Sequence, residues 1–333
     1  MSTQNKGTLI HAAVLGVSVI AAVSVWTREK EPKALAQGDV TVWSGRAADV
    51  EKITFENKSR KVAIEAKRDG TGRYFVGTLE REAAPPAAHA DGGAPPPPAK
   101  PTTVSFVSVG PGDKLAEALA PLKALRALGK IGDDRAAEFG LKEPDATVTI
   151  KVGGADHKLV VGGTTPGGGD RYVREGGTGE VYVLKGEPLR NLESPDSLLL
   201  ERELHEWKDG EVQKARVEAA GKGRDLVRGG AEGKRFWADS ATPETNDETL
   251  GNWMSKLDRL RPTEFLLEGP AAKETLLKVE YTGRKPLGFV EVIKVTGGEK
   301  PVYYLRTERT RLYGKVVGTL AEQLEQDLGT IVK

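Results

Sequence analysis

One glycine-rich stretch decides the fold that the sequence predicts. It reads FGLKEPDATVTIKVGG at 139–154 and KLVVGGTTPGGGDRYVREGGTGEVYVL at 158–184. Val148 and Ile150 alternate with polar residues, which is the period of a strand with one buried face. Glycine pairs such as Gly162-Gly163 favour tight reversals. Because links this short cannot cross over to make parallel pairs, the stretch predicts an antiparallel meander of four strands.

The pattern of the first half returns in the second half, in the same order. The matched segments, with their offsets in residues, are 49–56 with 211–218 (162), 73–75 with 235–237 (162), 115–125 with 250–260 (135), 148–152 with 277–281 (129), 172–174 with 304–306 (132) and 181–182 with 312–313 (131). The fall in offset from 162 to 135 places an insertion of 27 residues (162 − 135) in the first copy. A segment rich in proline, alanine and glycine lies there, at 83–101.

One helix of the repeat is predicted from apolar spacing. Asp113 is a candidate N-cap, and the apolar positions that follow recur on one helical face as far as Leu125. They are Leu115, Ala118, Leu119, Leu122 and Leu125. Pro121 interrupts this pattern and predicts a kink or two short helices.

The N-terminal apolar stretch predicts a membrane anchor. The sequence GTLIHAAVLGVSVIAAVSVW at 7–26 has no formally charged residue and would span about 30 Å as a helix. A cleaved signal peptide is the alternative, with Ala34-Leu35-Ala36 as its cleavage motif. Charged residues at 28–33 separate that motif from the apolar core, so we expect an uncleaved anchor.

These patterns predict an α+β fold of two tandem structural repeats of antiparallel strands with packed helices, preceded by a single N-terminal transmembrane helix. The predicted parts are a short tail at 1–6, the anchor at 7–26, a tether at 27–38, the first repeat at 39–193, a connection at 194–209 and the second repeat at 210–333. The insert at 83–101 within the first repeat is expected to be disordered.

Composition excludes several classes of partner and chemistry. Charged residues make up 29% of the 333 residues and the net charge is +1, so no basic excess indicates nucleic acid. The chain has no cysteine, which excludes disulfides, thiol catalysis and thiolate metal sites.

No motif predicts a reaction. His157 and His205 are 48 residues apart, lack metal-ligand spacing and are expected at turns or on the surface. The glycines at 162–169 lack the Lys-Ser/Thr ending of a phosphate loop, so they predict a turn. Glu201 and Glu203 form only a common acidic pair. The sequence therefore predicts no catalytic, cofactor-binding or metal-binding residue, no cofactor and no enzyme activity.

Three tryptophans leave one alternative open. Trp207, Trp237 and Trp253 are a candidate shelf for a sugar or a peptide. Trp237 and Trp253 fall on apolar repeat positions and are expected to be buried. Trp207 stays a candidate binding residue.

The order of short motifs resembles the DUF4340 family of bacterial proteins. The residues that carry the resemblance are Phe139-Gly140-Leu141, Pro144, Gly162-Gly163-Thr164-Thr165-Pro166, Arg171-Tyr172-Val173 and Val181-Tyr182-Val183. It covers residues 40–320, and the insert at 83–101 departs from it.

The resemblance implies a single-pass protein of the bacterial inner membrane whose C-terminal domain lies in the periplasm. The Lys and Arg count around 7–26, taken literally, favours the opposite orientation. Family members are often encoded beside ABC-transporter components of the gliding-motility type, which implies a protein partner in the membrane or periplasm. The alternative function is a periplasmic carbohydrate- or peptide-binding module, or a hydrolase of envelope polymers. Any small-molecule ligand is left open by the sequence.

Overall fold

The computed structural model describes residues 39–82, 101–231, 234–270 and 273–332. The predicted anchor at 7–26, the tether at 27–38 and all but the last residue of the insert at 83–101 lie outside the described residues. In the part of the chain that is described, none of the helices is both long enough and apolar enough to span a bilayer.

The described residues form short strands and shorter helices. In the first half the strands are β1 Val40–Trp43, β2 Val50–Asn57, β3 Arg60–Asp69, β4 Gly72–Arg81, β5 Thr102–Ser108, β6 Leu122–Ala124, β7 Arg126–Lys130, β8 Ala146–Val152, β9 Ala155–Thr164, β10 Arg171–Glu175 and β11 Glu180–Leu184. In the second half they are β12 Lys214–Ala219, β13 Lys222–Gly229, β14 Phe236–Asp239, β15 Glu264–Phe265, β16 Glu274–Thr282, β17 Pro286–Val295, β18 Val302–Thr307 and β19 Gly314–Lys315. The helices are α1 Gly110–Leu119, α2 Asp133–Ala136, α3 Gly186–Glu193, α4 Pro195–Leu198, α5 Glu248–Leu257 and α6 Gly318–Ile331.

The α+β prediction is wrong, because the fold is mainly β. Strands hold 44% of the described residues and helices 22%, and the strands pair in three antiparallel sheets. Part of the expected helix is strand: α1 ends at Leu119, and Leu122 lies in β6. Pro121 explains this end, since proline has no N–H to continue a helix, and its peptide bond with Ala120 is cis.

The two larger sheets share one strand order. The first runs β5-β4-β3-β2-β8-β9-β10-β11-β7 and the second runs β14-β13-β12-β16-β17-β18-β19-β15. After β5, the eight remaining strands of the first sheet correspond one by one to the eight strands of the second sheet, so that β4 matches β14 and β7 matches β15. Strand β5 has no counterpart in the second sheet. The four-strand meander predicted at 139–184 is confirmed as β8 to β11. A small third sheet pairs β1 with β6.

Each half has its own hydrophobic core. In the first half α1 contributes Leu115 and Leu119, and in the second α5 contributes Leu250 and Met254, all at most 2% exposed. Burying an aliphatic side chain of this size contributes about 1.5–3 kcal/mol. The apolar face of each helix therefore fixes it on the sheet of its own half.

Charged side chains join the two halves. The Glu201 carboxylate is 1% exposed, pairs with Arg309 at 3.3 Å and accepts hydrogen bonds from the backbone N–H groups of Val109 and Gly110. Glu201 thus caps the N-terminus of α1, the role that the sequence assigned to Asp113. Asp113 instead lies inside α1 and pairs with Arg73 at 2.5 Å.

Candidate functional site

A cluster of three aromatic rings lies at one end of the second sheet. We define the aromatic cluster as His205, Trp207 and Tyr281. The His205 ring stacks on Trp207 with centroids 4.0 Å apart and meets Tyr281 edge to face at 5.2 Å. Trp207 lies 4.8 Å from Tyr281. The cluster therefore joins the connection before β12 to strand β16.

Glu308 fixes the orientation of His205. Its Oε1 atom lies 2.9 Å from His205 Nδ1, and its Oε2 atom accepts the backbone N–H of Phe289 at 2.9 Å. Gly288 leaves the space for this carboxylate, because a Cβ atom there would lie 2.2 Å from Oε2. With Nδ1 paired to Glu308, His205 Nε2 is the ring nitrogen directed to any further partner.

Four polar atoms in and beside the cluster are buried without a hydrogen-bond partner among the described residues. They are His205 Nε2, Trp207 Nε1, Tyr281 Oη and Arg228 Nε. The Trp207 and Arg228 atoms are donors only. Burial raises the pKa of Tyr281 well above 10, and the charge of Asp258 adds to the effect, so its hydroxyl keeps its proton at neutral pH. A buried polar atom without a partner is costly, and such atoms mark places where a ligand or ordered water is bound.

A polar cleft of about 490 Å³ lies beside the cluster, between β13 and β14 on one side and α5 on the other. We define the polar cleft by its principal lining residues, Asp209, Arg228, Arg235, Asn252, Ser255 and Asp258. Arg228 pairs with Asp209, and its guanidinium lies 4.3 Å from the centre of the Trp237 ring. The walls therefore present charges of both signs together with amide and hydroxyl groups.

The local sequence places α5 against the edge of β14. Asp247 caps α5 by accepting the N–H of Leu250 at 2.9 Å. The N–H of Asp247 donates to the Trp237 carbonyl at 3.1 Å, on the side of β14 away from β13. The Trp237 carbonyl thus lies at the outer edge of the sheet, although its side chain is buried, and the first turns of α5 form the opposite wall of the cleft.

Asp258 is the titratable group that the cleft perturbs most clearly. Burial raises its pKa above the usual value, and the nearby His205 and Arg228 offset part of that rise. The residue is exposed at the mouth of the cleft, so solvent screens part of the effect. A carboxyl whose charge is disfavoured at a cleft is typical of a functional site, although structural ion pairs also shift pKa values.

The structure brings together some residues that the sequence discussed separately. His205 was expected at a turn or on the surface, and this expectation is wrong because its side chain is only 11% exposed and belongs to the cluster. His157 lies in β9 and stacks on Trp43 at 4.7 Å, far in sequence from the cleft. Trp237 and Trp253 are buried, as predicted. Trp207 lies in the aromatic cluster.

Other predicted features have structural roles. The glycines at 162–169 end β9 and form the turn before β10, as predicted, with Gly167 to Gly169 at positive φ. Glu201, dismissed as part of a common acidic pair, joins the two halves. Within 39–332, gaps aside, no three His, Asp or Glu side chains are placed to hold a metal ion. Tyr281 and Glu308 were missed, because only the topology brings residues so distant in sequence to His205.

Among the comparisons with known proteins, the one with family models finds a match. The family model described as "Domain of unknown function (DUF4340)" matches residues 112–279. That range includes the meander, both histidines of the folded part and most of the polar cleft. Searches of curated proteins and of solved structures give no significant match.

Proposed function

Since the chain belongs to the DUF4340 family, we propose that it is a non-catalytic protein of the bacterial envelope whose folded part binds another protein. The partner would be a component of an ABC-transporter assembly of the gliding-motility type, for which this chain is an accessory subunit. The polar cleft is the observation that carries the proposal. Its walls offer charged, amide and hydroxyl groups to a ligand, and one of them, Arg228, has a buried Nε atom without a hydrogen-bond partner among the described residues.

The cleft suits an extended polypeptide segment. Its volume of about 490 Å³ lies within the range of about 300–1,000 Å³ that is usual for ligand sites. Asn252 and Ser255 offer both donors and acceptors, which is what a peptide backbone needs. The outer edge of β14 forms one wall, and its Trp237 carbonyl already accepts the N–H of Asp247, so side chains rather than sheet pairing would hold the segment.

The charges of the cleft favour a polar segment over an anionic one. Arg228 and Arg235 lie among Asp209, Glu248 and Asp258, so the site has no excess of positive charge to attract a phosphate. An uncharged acceptor such as a peptide carbonyl matches these groups best.

A photo-crosslinking residue at Ser255 of the full chain tests the proposal in solubilised membranes. Ser255 is exposed and lines the cleft. We expect one polypeptide adduct that contains a transporter component. The same crosslinker at Lys222, which is exposed at the start of β13, is the matched control and should give no such adduct. Equal adducts at both positions, or none at Ser255, would contradict the proposal.

The proposed location outside the cytoplasm has its own test. The uncharged sequence at 7–26 and the family support it, whereas the literal Lys and Arg count opposes it. A reporter fused after Lys333 that is active only outside the cytoplasm should be active. A reporter active only in the cytoplasm should be silent, and the reverse result would reject the assignment.

A second candidate is a periplasmic module for a carbohydrate or peptide, or a hydrolase of envelope polymers. The His205–Glu308 pair favours it, because a histidine held at Nδ1 by a carboxylate is the arrangement of a general base. Turnover of peptidoglycan fragments that is lost in His205→Ala but kept in His157→Ala would support this candidate over the first.

A further inference from the structure

A second cavity lies in the first half, between α1 and α3. Its volume is about 470 Å³. We define the α1–α3 groove by its principal apolar lining, Ala118, Pro121, Leu122, Leu125, Leu184 and Leu189. Leu122, Leu184 and Leu189 are at most 3% exposed, so the floor of the groove is part of the core of the first half.

The chain enters the described fold beside this groove. Asp39 is the first residue that the structure describes, and it lines the groove. It precedes β1, which pairs with β6 so that Val40 lies opposite Ala124. At the far end of β1, Trp43 Nε1 donates a hydrogen bond to the Leu119 carbonyl at 2.9 Å, where α1 ends. Because β1 is held at both ends, the chain before Asp39 starts from a fixed point next to the groove.

The segment before Asp39 carries one apolar tripeptide. Residues 27–38 read TREKEPKALAQG, in which Leu35 is the single large aliphatic residue and lies between Ala34 and Ala36. Four residues of chain span at most about 14 Å, so Leu35 can extend over the groove from Asp39. The other residues of the segment are polar or charged, apart from Pro32 and Gly38. Leu35 is therefore the side chain of this segment that suits an apolar floor.

The rim of the groove suits the charge next to this tripeptide. Four exposed charged side chains form the rim, namely Glu117, Lys123, Lys185 and Glu187. None of the four forms an ion pair with another residue of the described chain. Lys33 lies two residues before Leu35, where it can approach the two rim carboxylates. Exposed pairs contribute little and are screened by salt, so burial of Leu35 decides whether the segment docks.

We propose that Ala34-Leu35-Ala36 docks in the α1–α3 groove, with the Leu35 side chain on the floor formed by Leu122, Leu184 and Leu189. Because the segment is joined to β1 by a short stretch of chain, its effective concentration at the groove is about millimolar and does not depend on the protein concentration. Docking covers the apolar floor and fixes the direction in which the chain before residue 34 leaves the folded part. The inference does not depend on the function of the polar cleft, which lies in the other half.

Methyl NMR of the full chain tests the docking with the protein's own leucines as probes. We expect nuclear Overhauser contacts from the Leu35 methyl groups to those of Leu122, Leu184 and Leu189. Leu35→Gln should remove these contacts and shift the groove methyl signals, because burying an amide without a partner is costly. Thr27→Gln is the matched control, since it places the same side chain in the same segment but outside the tripeptide, and it should leave contacts and signals unchanged.

Trypsin cleavage after Lys33 is the second measurement. Docking of the three residues that follow should make this cleavage about tenfold slower in the native chain than in Leu35→Gln, because proteolysis follows the population of the open form. Each rate is compared with that of the same chain unfolded in urea, which corrects for the change of sequence near the cleaved bond. Thr27→Gln should be cleaved as slowly as the native chain.

Every other result decides against the proposal. Groove methyl signals that are the same in the native chain and in Leu35→Gln, or equal trypsin cleavage of the two, would overturn it. Contacts to the groove from residues 7–26 in place of Leu35 would assign the groove to another segment. Contacts between chains, in a mixture of two differently labelled samples, would show that a second copy is the occupant. Crosslinking at Ser255 concerns the other half, so each site is decided on its own result.

Discussion

The Glu308 carboxylate holds His205 at Nδ1 across 2.9 Å, although the two residues are 103 positions apart in the chain. The pair depends on a third residue that makes no polar contact with it. Gly288 lies under the carboxylate, where any side chain would collide with it. The orientation of the aromatic cluster therefore depends on residue 288 being glycine, because the Cβ atom of any other residue would occupy the space of the Glu308 carboxylate.

Gly288→Ala should destabilise the protein because its new methyl group displaces the Glu308 carboxylate. Overpacking of this kind costs about 1–3 kcal/mol. In a Glu308→Ala background the same change should cost much less, since the colliding group is gone. Urea unfolding of the two single variants and the double variant measures this coupling. Equal costs of Gly288→Ala in both backgrounds would show that the glycine is required for another reason.

Glu201→Ala should be among the most damaging substitutions at the junction of the halves. It removes a carboxylate that is 1% exposed and leaves Arg309 and the N–H groups of Val109 and Gly110, at the start of α1, without their partner. Breaking a buried pair in this way costs about 3–5 kcal/mol. Glu203→Ala is the matched control, because Glu203 is exposed and only its backbone N–H contacts Glu201. Thermal unfolding in which both variants lose equal stability would contradict this role.

Leu115→Ala and Leu250→Ala should cost similar amounts, about 2–5 kcal/mol each. Each leucine lies on the buried face of its helix, Leu115 on α1 and Leu250 on α5, and the two are 2% and 0% exposed. Leu198→Ala is the control, since that side chain is 45% exposed and its loss should cost under about 0.5 kcal/mol. Chemical denaturation provides the comparison. A cost for one buried leucine several times that of the other would mean that the helices do not have equivalent places in their cores.

The periodicity of the chain was enough to predict the strands, but it did not give the exact alignment of the strands of the first half with those of the second half. The sequence matched 148–152 with 277–281 at an offset of 129. In the structure Phe55 pairs with Val148, and its counterpart Val217 pairs with Val279, which gives an offset of 131 (279 − 148). A shift of two residues keeps every side chain on the same face of the sheet. Alternation alone therefore could not distinguish the two alignments.

The candidate site could not be predicted for a different reason. Trp207 was singled out as an aromatic residue and His205 was set aside for lack of metal-ligand spacing, although their two rings stack on each other. Tyr281 lies in β16, and Glu308 follows β18. Strand order alone brings them together, so composition and spacing carry no signal of the site. The predicted α+β class failed because strands outweigh helices, and the expected second helical segment after Pro121 is instead strand β6.

Asp258→Asn should stabilise the protein at neutral pH. Burial raises the pKa of Asp258 above its ordinary value of 3.8, so the folded state binds its proton more tightly than the unfolded state does. The stability that this proton brings is present below 3.8 and is lost as the pH rises through the folded-state pKa. Asparagine carries no charge and avoids that loss.

Thermal midpoints of the variant should therefore exceed those of the native chain at pH 7, and the difference should disappear as the pH falls below 3.8. Asp156→Asn, at an exposed site in β9, should show no such trend. If the cleft binds a polypeptide, Asp258→Asn should also weaken crosslinking at Ser255. The Asp258 charge lowers the stability of the fold, and in that case it would contribute to binding the polypeptide. A variant that is less stable at pH 7 would instead show that the carboxylate makes a favourable contact within the fold.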